Sequence, residues 1–152
     1  MNKLIFTLLT LFIYSCAIAQ SGYIFLPTEN QYWNKATKYN WVTGSGDLAN
    51  PVKIIWYWEE NMITIKDLNF ALLKDEVFFI QELDKSEKDR TVIQTTNGSV
   101  IIIDVVRKQD LIVVTIMSPD KSKPLNENGD ILIQYGRRFL IPLNKEHVSF
   151  IY

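Results

Sequence analysis

The chain has 152 residues, 47% hydrophobic and 22% charged, with 16 basic against 17 acidic side chains and a single cysteine. Such a composition is globular and excludes a disordered chain, and a near-neutral balance without a basic stripe argues against nucleic acid as a partner. A chain of this size buries roughly two-thirds of its unfolded surface, enough for one core, so a second domain is not expected.

Asn2 and Lys3 precede an apolar run from Leu4 to Tyr14, interrupted only by Thr7 and Thr10, and Ala17-Ile18-Ala19 then leads into Gln20. Charge, short apolar stretch and small residues, in that order, make a secretory signal. The run is too short to cross a bilayer, which takes about 20 apolar residues. Cleavage between Ala19 and Gln20 is expected, leaving 20–152 as a single β domain, secreted or periplasmic in a bacterium. Ile13-Tyr14-Ser15-Cys16 resembles a loose bacterial lipoprotein box. Lipidation of Cys16 is therefore the alternative, and the only route to membrane anchoring, since no transmembrane helix is expected. Loss of the signal removes the one cysteine, so stability must come from the core without disulfides.

Beyond the signal, short runs of Val, Ile, Thr and aromatic residues alternate with polar turns. Strands are predicted near 37–43, 52–58, 62–67, 77–83, 91–96, 99–106, 111–118, 131–135, 138–142 and 147–151. Glu59-Glu60-Asn61 predicts a reversal, with Asn61 in the left-handed conformation. Asp67–Asp75 is the one helical candidate, with Asp67 as cap and Phe70, Leu73 and Val77 at helical spacing. Asn97-Gly98 suits a two-residue hairpin loop that needs positive φ, and predicts Thr96 opposite Ser99 and Val92 opposite Ile103. Arg107–Asp110 makes a further reversal. Ser118–Asp130, with two prolines, is the longest loop, and Pro142 suggests an edge strand. Consecutive tight turns predict an antiparallel meander closing into a small barrel or a two-sheet sandwich, with a candidate short helix near 67–75. In architecture it resembles the lipocalin-type barrels, which hold apolar ligands; no motif of that family is present and no residue role follows from the likeness.

The central hairpin breaks the alternation expected of a strand with one wet face. Ile101, Ile103 and Val105 share one face, but Val100, Ile102 and Val106 occupy the other, and Leu111–Met117 is equally apolar throughout. Leaving such side chains in water forgoes roughly 1.5–3 kcal/mol each. Cover on both sides is expected, from the N-terminal third, the helical candidate, a partner or a ligand.

Catalytic chemistry has little to work with. His147 is the only histidine, and it fits strand membership. With it and no mature cysteine, a zinc site is excluded and no cofactor is expected. Asp47, Glu59, Glu60, Asp67, Asp75 and Glu76 all fall at predicted turns, where solvent keeps carboxylates ordinary. Asp104 interrupts an apolar strand and, if buried, requires a basic partner among Arg90, Arg107, Arg137 and Arg138. Gly44-Ser45-Gly46-Asp47 lacks the rest of a phosphate loop, Asn126–Asp130 lacks the spacing of a calcium loop, and the Asn97-Gly98-Ser99 acceptor motif is explained by its turn.

The aromatic distribution is the suggestive feature. All four tryptophans, Trp33, Trp41, Trp56 and Trp58, lie within 33–58 together with Tyr57. Trp56 and Trp58 share a strand face with Ile54, and Tyr57 takes the other. These five are the candidate contacts for a small molecule, a glycan or a protein, against the simpler role of filling the core. Val148, Phe150 and Tyr152 at alternate positions resemble the last strand of bacterial outer-membrane barrels, a likeness confined to the final residues. The expected function is an exported, non-enzymatic binding module. A small carboxylate-dependent hydrolase and a structural or lipid-anchored envelope protein are the alternatives.

Overall fold

The computed structural model describes residues 21–45, 51–67, 75–120, 122 and 125–152. Cys16, the Ala19–Gln20 junction, the Gly46-Asp47 segment and the helical candidate over 68–74 lie outside the described residues. Among the described residues, eleven strands make one antiparallel sheet: β1 (Gly22–Phe25), β2 (Glu29–Trp33), β3 (Val42–Thr43), β4 (Val52–Tyr57), β5 (Met62–Asp67), β6 (Glu76–Asp84), β7 (Arg90–Thr95), β8 (Val100–Val106), β9 (Leu111–Pro119), β10 (Ile133–Pro142) and β11 (Val148–Ile151). A 3-10 turn at Arg107–Gln109 joins β8 to β9. The expected all-β, antiparallel class is what the chain adopts. Strands β4 to β10 run as a meander, and the full order is β11-β1-β4-β5-β6-β7-β8-β9-β10-β2-β3. The ring is not closed, and β11 and β3 are its edges.

Three local features depart from expectation, each for a physical reason. The strand expected over 37–43 is mostly a turn, and only Val42–Thr43 pair, with β2. Asn34 and Thr37 exchange side-chain and backbone hydrogen bonds, Thr37 N–H donating to Asn34 Oδ1 at 3.1 Å, which competes with strand pairing. Lys38 and Tyr39 then take positive φ.

The segments 131–135 and 138–142 are one strand, β10, bulged between Ile133 and Tyr135. Gly136 marks a close approach and not a break: a Cβ there would come within 2.9 Å of the Trp41 ring and 3.0 Å of the Met117 sulfur. Strand β10 is internal, between β9 and β2; Pro142 is tolerated because it lies beyond the last β2 pair, Leu140↔Glu29.

The β7–β8 register is shifted by one from a two-residue loop. Thr95 faces Ser99, leaving Thr96-Asn97-Gly98 as a three-residue loop with Gly98 at φ 80°. Asn97 Oδ1 accepts from both Thr95 Oγ1 (2.6 Å) and Ser99 N–H (3.0 Å), which holds the wider loop. Val92 consequently opposes Ile102, and Ile93 opposes Ile101.

One cluster of buried side chains forms the core. It draws on β1 (Phe25), β4 (Ile54, Trp56), β5 (Ile63, Ile65), β6 (Phe78), β7 (Ile93), β8 (Ile101), β9 (Val114, Ile116) and β10 (Phe139, Ile141), among others. Ile93, Ile101 and Ile141 are 0% exposed, a degree of burial that one face of a flat sheet cannot provide. The sheet therefore curls over its own inner face. Contacts between distant strands show the same curl: Arg137 on β10 forms a forked ion pair with Glu76 on β6 at 2.6 and 2.7 Å.

Candidate functional site

Period-two alternation places the functional side chains. On β9, Ile112, Val114 and Ile116 point into the core, so Leu111, Val113 and Thr115 point outward. Strand pairing then lays out the outer face in rows. Val106, Leu111 and Pro142 make the first; Asp104, Val113, Leu140 and Glu29 the second; Ile102, Thr115, Arg138 and Gln31 the third. The outer side of the central hairpin is thus neither covered nor fully wet: Ile102, Val106, Leu111 and Val113 are half-buried.

These rows floor an open groove of about 710 Å³. Val106, Leu111, Val113 and Leu140 supply apolar surface, the Glu87–Arg90 turn makes one wall, and Gln31, Thr115 and Arg138 lie toward one end. Asp104, in the second row of the floor, is held by Arg90, whose Nε donates to Oδ1 at 2.6 Å and whose Nη2 donates to Oδ2 at 3.4 Å. The same bond lifts the Arg90 guanidinium above its ordinary range. Beside it, Arg107 is engaged by Asp89 at 2.7 Å.

Arg138 differs from these cations. Its guanidinium lies over the Trp41 ring, 4.0 Å from the centroid, a cation–π contact. It has no salt-bridge partner among the described residues, and its buried Nε has no hydrogen-bond partner. Burial pushes its pKa down, partly opposed by the more distant Asp104. The loop before β3 positions this group, since Trp41 folds over the Gly136 gap that no side chain fills.

A second cavity, of about 420 Å³, lies where β2, β6 and β10 meet at one end of the sheet. Glu76, Arg137, Tyr32, Trp33 and Tyr135 border it. Glu76 and Arg137 satisfy one another there through the forked pair described above, and Asp120, also at its border, accepts from Ser122. Burial pushes the Tyr32 phenol up; Arg137 opposes that shift and Glu76 adds to it.

The five aromatic candidates are not brought together. Trp33 borders the second cavity and stands 4.8 Å from Tyr39. Trp41 lies under Arg138 on the outer face. Trp56 is 6% exposed and belongs to the core. Trp58 packs on Tyr23 with ring centroids 5.0 Å apart, and Tyr57 is half-buried on the opposite face of β4. His147 sits in the turn before β11, its Nδ1 2.9 Å from Asn144 Oδ1. No group of metal-ligating side chains forms among the described residues.

Arg138 and Leu140 were not singled out as contacts by composition or motif. The signal that locates them is local: two adjacent arginines inside one strand must put a cation on each face, Arg137 inward and Arg138 outward. No protein-family model, no curated protein and no solved structure matches this chain.

Proposed function

We propose that this chain is an exported, non-enzymatic binding module whose contact surface is the groove on the outer face of β8, β9 and β10. The observation that carries this reading is the half-exposed apolar second face of two neighbouring strands, shaped into a cavity of about 710 Å³. An apolar floor of Val106, Leu111, Val113 and Leu140 bordered by a few polar and charged groups is the usual make-up of a ligand site. Support for binding over carboxylate-based hydrolysis comes from the engagement of Asp104 by Arg90 and Glu76 by Arg137, while Glu59 and Glu60 stand exposed in the β4–β5 turn.

Architecturally, the reading takes the curled sheet as a small barrel. Only Leu26, Pro27 and Thr28 separate β1 from β2, yet these strands lie beside opposite edges of the sheet, which draws the two edges together. The mature domain begins at Gln20 and works outside the cytoplasm, secreted or periplasmic.

The test uses a neutral fluorescent apolar probe, Nile red, titrated into the signal-less protein. Saturable binding is expected, weakened at least fivefold by Val113→Asn or Leu140→Asn with the β circular-dichroism spectrum retained. Absence of saturable binding, or indifference to both substitutions, removes the groove as the contact surface.

A further inference from the structure

Resting on the groove as the contact surface, the geometry points to a specific ligand class: a single alkyl chain ending in a carboxylate, its chain along the outer face of β9 and β10 and its head on Arg138. Arg138 is the one guanidinium in the groove without a carboxylate partner among the described residues, while Arg90 and Arg107 are taken by Asp104 and Asp89. Its buried Nε is closed to ligands, but its terminal nitrogens are not among the buried unpartnered atoms, so an anion meets the guanidinium end-on, through both. A carboxylate matches that two-pronged edge.

The charge environment sets the head group further. Lys88 lines the opposite wall, so Arg138 is the unengaged guanidinium rather than the only cation, and Asp104 and Glu29 stand in the row next to Arg138, which disfavours a phosphate dianion more than a singly charged carboxylate. The floor sets the tail. From Arg138 the apolar side chains lead through Leu140 and Val113 to Leu111, about four residues of strand or roughly 13 Å. A peptide laid on those methyl groups would leave its amides without partners on that side, whereas an alkyl chain has none to satisfy. Trp41 closes the opposite direction by lying over Gly136, so the head stops at Arg138 and the tail runs one way only.

Calorimetric titration of the signal-less protein with decanoate, decanol, decyl phosphate, decyltrimethylammonium and acetate tests this. Decanoate should bind at least about tenfold more tightly than decanol, decyl phosphate and the ammonium compound, with acetate weak, since a hydrogen-bonded charge pair is worth that factor or more. Arg138→Gln should erase the preference for decanoate while leaving decanol binding in place, and Val113→Asn should weaken decanoate and decanol alike. Equal affinity for decanoate and decanol, or a preference that survives Arg138→Gln, overturns the carboxylate assignment while leaving the groove as an apolar contact surface. Tightest binding by decyl phosphate overturns it in favour of a phosphorylated head. If Arg138→Gln does not fold, the order of the five probes on the unaltered protein and on Val113→Asn still decides. Failure of every ten-carbon probe removes both the ligand class and the groove itself.

Discussion

Tyr32 shows how one position responds to its surroundings. Its ordinary pKa is 10.0, and burial, with Glu76 nearby, holds the phenol protonated beyond that point. As pH rises past 10.0, the unfolded chain releases this proton before the folded chain does. The folded state then binds more protons, so stability is complete below that value and falls as pH climbs toward the raised folded-state pKa. Absorbance titration near the tyrosinate band should show a phenol ionising above 10.0, and Tyr32→Phe should remove that step. At this scale the sequence was partly readable. Asn61 was expected in the left-handed conformation and adopts φ 48°. Gly98 was expected at positive φ, which it has, but in a loop one residue longer. The difference lies in Asn97, whose side chain accepts two hydrogen bonds and so favours Thr95 over Thr96 as the last paired residue. Side-chain choices of that kind are not encoded in the Asn-Gly pair itself.

Among the elements, the β8–β9 hairpin separates two energetic environments that its sequence does not distinguish. Ile101 and Ile102 are adjacent and chemically identical, but Ile101 is 0% exposed in the core while Ile102 is half-buried on the outer face. Ile101→Ala should cost about 2–5 kcal/mol, as in other fully packed sites. Ile102→Ala should cost clearly less, about 1 kcal/mol, because part of its surface already meets water. Denaturant melts of the two variants give the comparison, and equal losses would contradict the assignment of faces. The two-sided apolar character of this hairpin was plain in the sequence, as were the boundaries of β5 and β8 to within a residue. Strands β1 and β2 were not anticipated, because four- and five-residue stretches broken by Pro27 carry too little periodicity to stand out. The helical expectation drew on Asp67 as a cap and on spacing; Asp67 instead ends β5 and Val77 lies in β6, while 68–74 fall outside the described residues.

For the molecule as a whole, the Glu76–Arg137 pair ties together two strands with β7, β8 and β9 between them in the sheet. No sequence pattern reveals such a pair, because nothing local relates the two positions; only the curl of the sheet brings them together. Glu76 is 41% exposed and Arg137 21%, so solvent screens the attraction. Glu76→Gln should therefore destabilise by about 1 kcal/mol, the range of partly exposed pairs. Arg137→Gln should do likewise, and the double variant should lose less than the sum, with all effects shrinking in high salt. Additive losses would mean the fork contributes nothing to the curl. The likeness of the final strand to outer-membrane barrels rested on three alternating residues. In the structure Phe150 turns toward Tyr23, ring centroids 5.1 Å apart, in an aromatic group shared with Trp56 and Trp58.

The pairing of Gly22 with Ile151 has a bearing on how the chain comes into being. Synthesis runs from the amino end, so β1 can pair with β4 and β2 with β3 early, but the other side of β1 waits for β11 and that of β2 for β10. Contacts between such remote positions form slowly, because a long stretch of polypeptide must first be brought round. A nascent chain of this design can add β4 to β10 one after another, while β1 and β2 each keep one side unpaired until their late partners arrive.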